Sequence, residues 1–143
     1  MKTILGVAIL TLLLVTSCKV EQEEINYGKD GCLFCSMTIV DNQHAAELVT
    51  AKGKVYKYDA IECLINDLKR RDSAEIGMLF VNDYSNPGDL ISAETATYLI
   101  SEGVPSPMGA FLSGFSNKAD AEEVKTENGG ELFDWQAVRK QIK

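Results

Sequence analysis

The segment from Asp30 to Met37 places two thiols and a thioether within six positions of one another, at Cys32, Cys35 and Met37. The two-residue spacer between the cysteines allows both sulfur atoms to reach a single ion. Thiolate and thioether donors favour Cu(I), and thiolates also bind Zn(II) and iron–sulfur clusters. The sequence therefore predicts a site for a soft metal ion in this segment.

Three other uses of the two cysteines stay open. A redox dithiol of the thioredoxin kind follows a strand and opens a helix, whereas the next residues here, Thr38–Val40, favour a strand. A structural zinc site needs four ligands, and the candidate ligands in this sequence are Cys32, Cys35, Cys63 and His44. The third alternative is a small surface disulfide between Cys32 and Cys35.

Four further residues carry groups that can bind metal. On a predicted helix, Cys63 lies about 200° from Ile61, the centre of the apolar stripe, so we predict a packing residue. His44 is the single histidine and begins an apolar strand, which favours a structural role. Met108 lies in a loop bounded by proline and glycine, where a thioether is easily presented. Asp30 is an oxygen donor whose predicted role is in a turn.

The N-terminus reads as a targeting segment. Lys2 precedes an apolar run from Ile4 to Val15, which is too short for a comfortable transmembrane helix and is typical of a signal peptide. The run ends in Leu14-Val15-Thr16-Ser17-Cys18, the pattern of a bacterial lipobox. We therefore expect residues 1–17 to be removed and Cys18 to carry lipid, which makes the protein extracytoplasmic and anchored to the cell membrane or outer membrane.

Composition narrows the class of partner. The chain has 143 residues, of which 45% are hydrophobic, so it is long enough for one folded domain. The formal net charge is −7, and the single basic cluster, Lys69–Arg71, suits the end of a helix. Nucleic acid is therefore not an expected partner.

The pattern of the remaining chain predicts a polar linker over residues 18–30 and an α+β domain over residues 31–143. The first half, about residues 31–84, has predicted strands at Thr38–Val40, His44–Thr50, Val55–Tyr58 and Met78–Val81, and a helix at Ala60–Arg71 capped by Asp59. A loop at Asn82–Gly88 separates it from the second half, about residues 90–143. That half has predicted strands at Thr95–Ile100, Ala110–Phe115 and Glu131–Phe133, a loop at Ser101–Gly109, and two helices capped by Asn117 and Asp134.

Four motifs follow one another along the chain: the lipobox with Cys18, then Cys32-x-x-Cys35-x-Met37, then Ser106-Pro107-Met108-Gly109-Ala110, then Ala119-Asp120-Ala121 leading to Gly129-Gly130. Together they resemble the nitrous-oxide reductase accessory lipoprotein family, NosL, from about Asp30 to Trp135. The common family pattern has glycine where this chain has Ser36. That departure changes backbone freedom and leaves the sulfur donors unchanged.

The resemblance implies both a fold and a function. Members of the family are copper chaperones that bind Cu(I) and assist assembly of the copper sites of nitrous oxide reductase. Their fold is two similar ββαβ halves related to organomercurial lyase. The implied ligands in this chain are Cys32, Cys35, Met37 and Met108. The implied partner is nitrous oxide reductase or its maturation machinery, and the implied activity is carriage of Cu(I) without catalysis. The competing hypothesis is a lipid-anchored thiol–disulfide oxidoreductase that uses the two cysteines of the motif.

Overall fold

The computed structural model describes residues 20–143. Its strands are β1 (Ala46–Thr50), β2 (Val55–Tyr58), β3 (Ile76–Asp83), β4 (Asn86–Ser92), β5 (Thr97–Ile100), β6 (Leu112–Phe115) and β7 (Glu131–Phe133). Its helices are α1 (Ile61–Leu68), α2 (Lys118–Asn128) and α3 (Trp135–Gln141), and a single 3-10 turn spans Ser73–Glu75. The predicted signal peptide and Cys18 lie outside the described residues.

The strands form two small antiparallel sheets. The first has the order β2-β1-β3-β4 and the second has the order β6-β5-β7. In both, the first strand of the unit lies between the second strand and the strand that follows the helix. The chain thus forms two ββαβ units of the same topology, which confirms the predicted mixture of helices and strands. The relationship to organomercurial lyase stays a prediction.

Helix α1 lies between the two sheets and contacts β1, β2 and β6. Six of its eight residues are buried: Ile61, Glu62, Cys63, Leu64, Ile65 and Leu68. A helix buried on so much of its circumference belongs to the interior of a fold, whereas a surface helix buries a single stripe. It begins at Ile61 without the predicted side-chain cap from Asp59, and it ends at Leu68, before the predicted Arg71.

The two units meet closely at Gly114 in β6. Its carbonyl accepts a hydrogen bond from the Tyr84 N–H at 2.8 Å. A Cβ at this position would lie 3.0 Å from Val81 Cγ2 and 3.4 Å from Ile61 Cδ1. A side chain here would therefore push against both β3 and α1, and glycine is what permits the two sheets to approach.

The boundary between the halves differs from the prediction. The stretch Asn82–Gly88 was expected to be a loop but forms the hairpin of β3 and β4, so the first sheet extends to Ser92. The Asn-Pro-Gly sequence that suggested a loop lies on β4, an edge strand of this sheet. Pro87 lies in the irregular part of the β3–β4 pairing and has no registered partner, and proline in sheets is confined to such edge strands and bulges.

Two other segments also differ from expectation. Thr38–Val40 is not a strand and contributes only a single bridge between Gly31 and Thr38. The predicted linker packs on the domain in its second part, where Ile25 is buried and the Tyr27 hydroxyl lies 3.1 Å from Asn82 Oδ1. The folded domain therefore begins before residue 31. Within residues 20–143, no helix is both long enough and apolar enough to span a bilayer.

Candidate metal centre

Three thiols converge on one point of the molecule. The sulfur atoms of Cys32, Cys35 and Cys63 all lie within 4.8 Å of one another, and all three are free thiols. An ion held at about 2.3 Å by each of two thiolates keeps them at most about 4.6 Å apart. Small side-chain movements therefore suffice for all three sulfurs to bind the same ion.

Two of the thiols lie in a tight loop, residues 30–39, which we call the thiol loop. At the ends of the loop, the Ile39 N–H donates a hydrogen bond to the Asp30 carbonyl at 2.9 Å. In its middle, the Cys32 N–H donates to the Met37 carbonyl at 2.8 Å. The Cys35 N–H points at Cys32 Sγ at 3.4 Å. Backbone N–H groups directed at sulfur stabilise thiolate, so the loop is prepared for a cation before one arrives.

The third thiol comes from α1. The thiol loop is fixed to β2 by the bond from the Leu33 N–H to the Lys57 carbonyl at 3.0 Å. Three residues after the end of β2, α1 begins, and Cys63 lies in its first turn. The Asp59 N–H, between β2 and α1, also helps to lower the pKa of the Cys32 thiol. The short connection from β2 to α1 therefore sets the position of Cys63 relative to the loop.

The three thiols do not share the same acidity. A hydrogen bond from the Cys63 thiol lowers the pKa of Cys32 to about 5, with help from the N–H groups of Cys35 and Asp59. Burial raises the pKa of Cys35. The hydrogen bond to Cys32 and burial together raise the pKa of Cys63 well above its usual range. Cys32 is therefore the most acidic of the three thiols and the first to ionise.

This arrangement predicts a pH-dependent thiolate in the reduced, metal-free protein. Its pKa is lower in the folded state, so ionised Cys32 contributes stability at high pH and loses that contribution as the pH falls through about 5. We expect the ultraviolet absorbance of one thiolate to be present at pH 7 and to disappear with a midpoint near pH 5. Cys32→Ser should remove this transition. An absorbance that is unchanged in the Cys32→Ser protein would contradict the assignment.

Backbone conformation explains the glycine expected at position 36. Ser36 has a φ of 64°, in the left-handed region that glycine occupies without steric cost. We expect Ser36→Gly not to lower the free energy of unfolding, whereas Ser36→Val should lower it by about 1 kcal/mol because a β-branched residue fits this region poorly. Chemical denaturation of the reduced, metal-free proteins measures both values. A larger loss with glycine than with valine would contradict this explanation.

The two predicted methionine ligands lie in different surroundings. Met37 is 53% exposed on the thiol loop. Met108 is 43% exposed and lines a cavity of about 480 Å³ that is also lined by Cys63, Phe34 and Glu62. The structure thus places Met108 and Cys63 on one cavity that is open to solvent.

Two buried carboxyl groups flank the thiols. Asp59 and Glu62 are both nearly inaccessible, and each has one carboxylate oxygen without a hydrogen-bond partner among the described residues. Burial, together with the nearby negative charge of Cys32, raises the pKa of Asp59. Unpaired negative charge in the interior is costly, and a bound cation reduces that cost. The electrostatics of this region therefore favour a positive ion in the cluster.

His44 does not take part in the cluster. Its Nδ1 lies 3.0 Å from Asp41 Oδ2, and its Nε2 lies 3.1 Å from Ser113 Oγ. Asp41, His44 and Ser113 thus form a hydrogen-bonded chain of a carboxylate, an imidazole and a hydroxyl group. Because Ser113 is fully buried, its hydroxyl group is closed to a substrate in solvent. The contacts join the first unit to β6 of the second.

Asp30 has the expected place in a turn. Its Oδ2 accepts from the Asn26 N–H and from Lys57 Nζ, each at 2.8 Å. The hydrogen bond from Lys57 lowers the pKa of Asp30. These contacts fix the start of the thiol loop.

Sequence reasoning predicted Cys32 and Cys35 as a pair and treated Cys63 as a packing residue. Cys63 is indeed buried, but the layer that covers it is the thiol loop, so it joins the cluster. One signal in the sequence pointed this way. Cysteine is among the most frequently buried residues, so a cysteine on the apparently polar face of α1 indicated that this face is covered too.

The fold and the thiol cluster together define a small α+β protein with a sulfur-lined site suited to a soft metal ion. The family model NosL matches residues 24–142, and the chain belongs to the NosL family. Among solved structures, the chain is similar to the copper chaperone NosL from Shewanella denitrificans, with a TM-score of 0.72 and 23% sequence identity over 82% of this chain and 95% of that one. No curated protein matches the chain.

Proposed function

We propose that this protein is a lipid-anchored, extracytoplasmic carrier of Cu(I) that delivers copper for assembly of the copper sites of nitrous oxide reductase. The observation that carries this proposal is the convergence of the Cys32, Cys35 and Cys63 sulfurs beside an open cavity. Soft sulfur donors in a low-coordinate set suit Cu(I). Membership of the NosL family and the fold shared with a copper chaperone support copper as the cargo.

Uptake and release follow from the exposure of the three thiols. Cys35 is half-buried and is the sulfur most open to an arriving ion, whereas Cys32 and Cys63 are buried behind it. Cu(I) binds first at Cys35 and then moves inward to all three sulfurs, and the protons of the Cys35 and Cys63 thiols pass to solvent as the copper–sulfur bonds form. In release, donor groups of the acceptor replace the sulfurs one at a time, and copper stays Cu(I) because no electron is transferred.

The surroundings of the thiols suit contact with an acceptor protein. Leu33 is 45% exposed and lies next to Cys32 in the thiol loop, and Met37 and Val40 are also exposed. Apolar side chains grouped on a surface commonly mark an interaction site. In this proposal the acceptor covers them while its own ligands enter the cavity.

Thiol–disulfide exchange is the second candidate, and the lowered pKa of Cys32 favours it. Exposure argues against it, because a redox nucleophile must be both ionised and accessible. Here the ionised thiol, Cys32, is buried, whereas the accessible thiol, Cys35, has a raised pKa. This distribution suits metal binding better than attack on an external disulfide.

Copper transfer tests the proposed function. The reduced protein is loaded with one equivalent of Cu(I) and mixed anaerobically with copper-free nitrous oxide reductase, and the two proteins are then separated and their copper measured. We expect copper to move to the reductase, and to move more slowly to an unrelated copper-free protein of similar affinity. Copper that stays on the carrier, although a chelator removes it readily, would contradict delivery.

The lipid anchor is tested separately. The proposed anchor at Cys18 predicts that Cys18→Ala abolishes incorporation of labelled fatty acid and retention in the membrane fraction. The matched control is Cys63→Ala, which should leave labelling unchanged because Cys63 is buried in the domain. Labelling that persists in the Cys18→Ala protein would show that this cysteine is not the lipid site.

A further inference from the structure

A buried carboxylate connects the Met108 loop to the thiol cluster. Glu62 lies in the first turn of α1, next to Cys63, and is only 4% exposed. Its Oε1 accepts two hydrogen bonds, from Ser106 Oγ at 2.6 Å and from the Ala110 N–H at 3.3 Å. Its Oε2 is buried and has no hydrogen-bond partner among the described residues.

The two donors are the two ends of the turn that carries Met108. The turn is closed by the bond from the Gly109 N–H to the Ser106 carbonyl at 3.0 Å, and Gly109 has a φ of +78°. Met108 is thus held between two residues that are both attached to one oxygen atom of Glu62. Glu62, Cys63 and Met108 line the same cavity.

We propose that Glu62 is a positioning residue that holds the Ser106–Ala110 turn against α1, so that the Met108 thioether stands beside Cys63 ready to bind Cu(I). This inference rests on the proposed function, in which Cu(I) is the cargo. Glu62 acts through Met108 and does not itself bind the ion.

The physical reason is the conformational freedom of the turn. The loop from Ser101 to Met108 has no strand or helix of its own. An untethered loop loses backbone and side-chain freedom when one of its residues binds a metal, and that loss weakens binding. The two hydrogen bonds to Glu62 remove this freedom beforehand. A buried carboxylate with one unpaired oxygen is costly, and a role in preparing the site explains why it is placed there.

The test compares variants that break the tether in different ways. Ser106→Ala removes one of the two donors, and Glu62→Ala removes the acceptor. Glu62→Gln keeps a carbonyl oxygen for both donors and removes the charge. We expect Ser106→Ala and Glu62→Ala to lower Cu(I) affinity by about tenfold, the scale of a weakly held ligand, and to remove one sulfur neighbour from the X-ray absorption spectrum. Glu62→Gln should restore both.

A second background isolates the role of Met108. In the Met108→Leu protein, Ser106→Ala should cause no further loss of affinity, because there is no thioether left to position. The matched control is Ser101→Ala, since Ser101 is also buried in this loop and its Oγ donates to the Asn128 carbonyl at 3.0 Å. This control should lower stability to a similar degree and leave copper affinity unchanged.

The outcomes separate the two proposals. If Met108→Leu lowers affinity but Ser106→Ala and Glu62→Ala do not, Met108 is a ligand and the positioning role of Glu62 is wrong. If Glu62→Gln loses as much affinity as Glu62→Ala while Ser106→Ala loses none, the charge of Glu62 acts directly and the tether is not the cause. If the protein binds no Cu(I) at all, the proposed function itself fails.

Discussion

Replacing Cys32 and Cys35 together by serine is expected to lower the affinity for Cu(I) by at least about a hundredfold, since even residues that only support metal ligands commonly contribute tenfold to a hundredfold. The variant loses the thiolate that is already ionised and the thiol that is most accessible. A hydroxyl group is a hard donor and does not replace a thiolate on a soft ion. Anaerobic competition with a coloured Cu(I) chelator measures the affinity.

The same variant should also lose the stability that copper confers. A ligand that binds only the folded state at a thousandfold excess over its dissociation constant stabilises it by about 4 kcal/mol. We expect this gain in the parent protein and not in the double variant. The matched control is Met78→Leu, which changes a sulfur residue of β3 outside the cluster. A double variant that still binds Cu(I) tightly would refute the assignment of the site.

Cys63→Ser is expected to lower Cu(I) affinity by at least about tenfold, and by more than Met37→Leu does. The reason is geometric, since the Cys63 sulfur lies within 4.8 Å of both other sulfurs, whereas Met37 is 53% exposed. The substitution also places a hydroxyl group at a buried position, so some stability will be lost for reasons unrelated to copper. Unfolding of the metal-free protein measures that part separately.

Three results of this experiment are informative. A loss of affinity with Cys63→Ser and none with Met37→Leu supports a centre built from three cysteines. Equal losses would mean that the thiol loop rearranges to bring Met37 inward when copper binds. If Cys63→Ser leaves affinity unchanged while Met37→Leu lowers it, then Cys63 is a packing residue, as its position on the helix first suggested.

Local chemistry made much of the fold predictable. Strand β2 has the predicted bounds, Val55–Tyr58, and all four of its residues pair with the preceding strand β1 in a simple hairpin. The caps of α2 and α3 are also confirmed, since Asn117 accepts from the Ala119 N–H and Asp134 accepts from the Ala137 N–H. These features depend on neighbours a few residues away, and sequence alone contains that information.

Features that depend on distant neighbours were not predictable in the same way. Helix α1 has a clear apolar stripe, and its opposite face is covered by the thiol loop. The spacing of apolar residues within a helix cannot show that a distant segment covers its other face. Thr38–Val40 has the composition of a strand, but the bonds that close the thiol loop leave it only one bridge. The tether between Glu62 and Ser106 joins residues 44 positions apart. For the same reason, Cys63 was recognised as buried but not as part of the centre.

X-ray absorption at the copper edge of the reduced protein, loaded with one equivalent of Cu(I), tests the central claim most directly. We predict that the first shell contains only sulfur, with the thiolates of Cys32, Cys35 and Cys63 as its main sources and the Met108 thioether as a further, weaker donor, and that Cys63→Ser removes one sulfur neighbour. A first shell with nitrogen or oxygen neighbours, or one that stays the same when Cys32, Cys35 and Cys63 are each replaced by serine, would show that copper binds elsewhere.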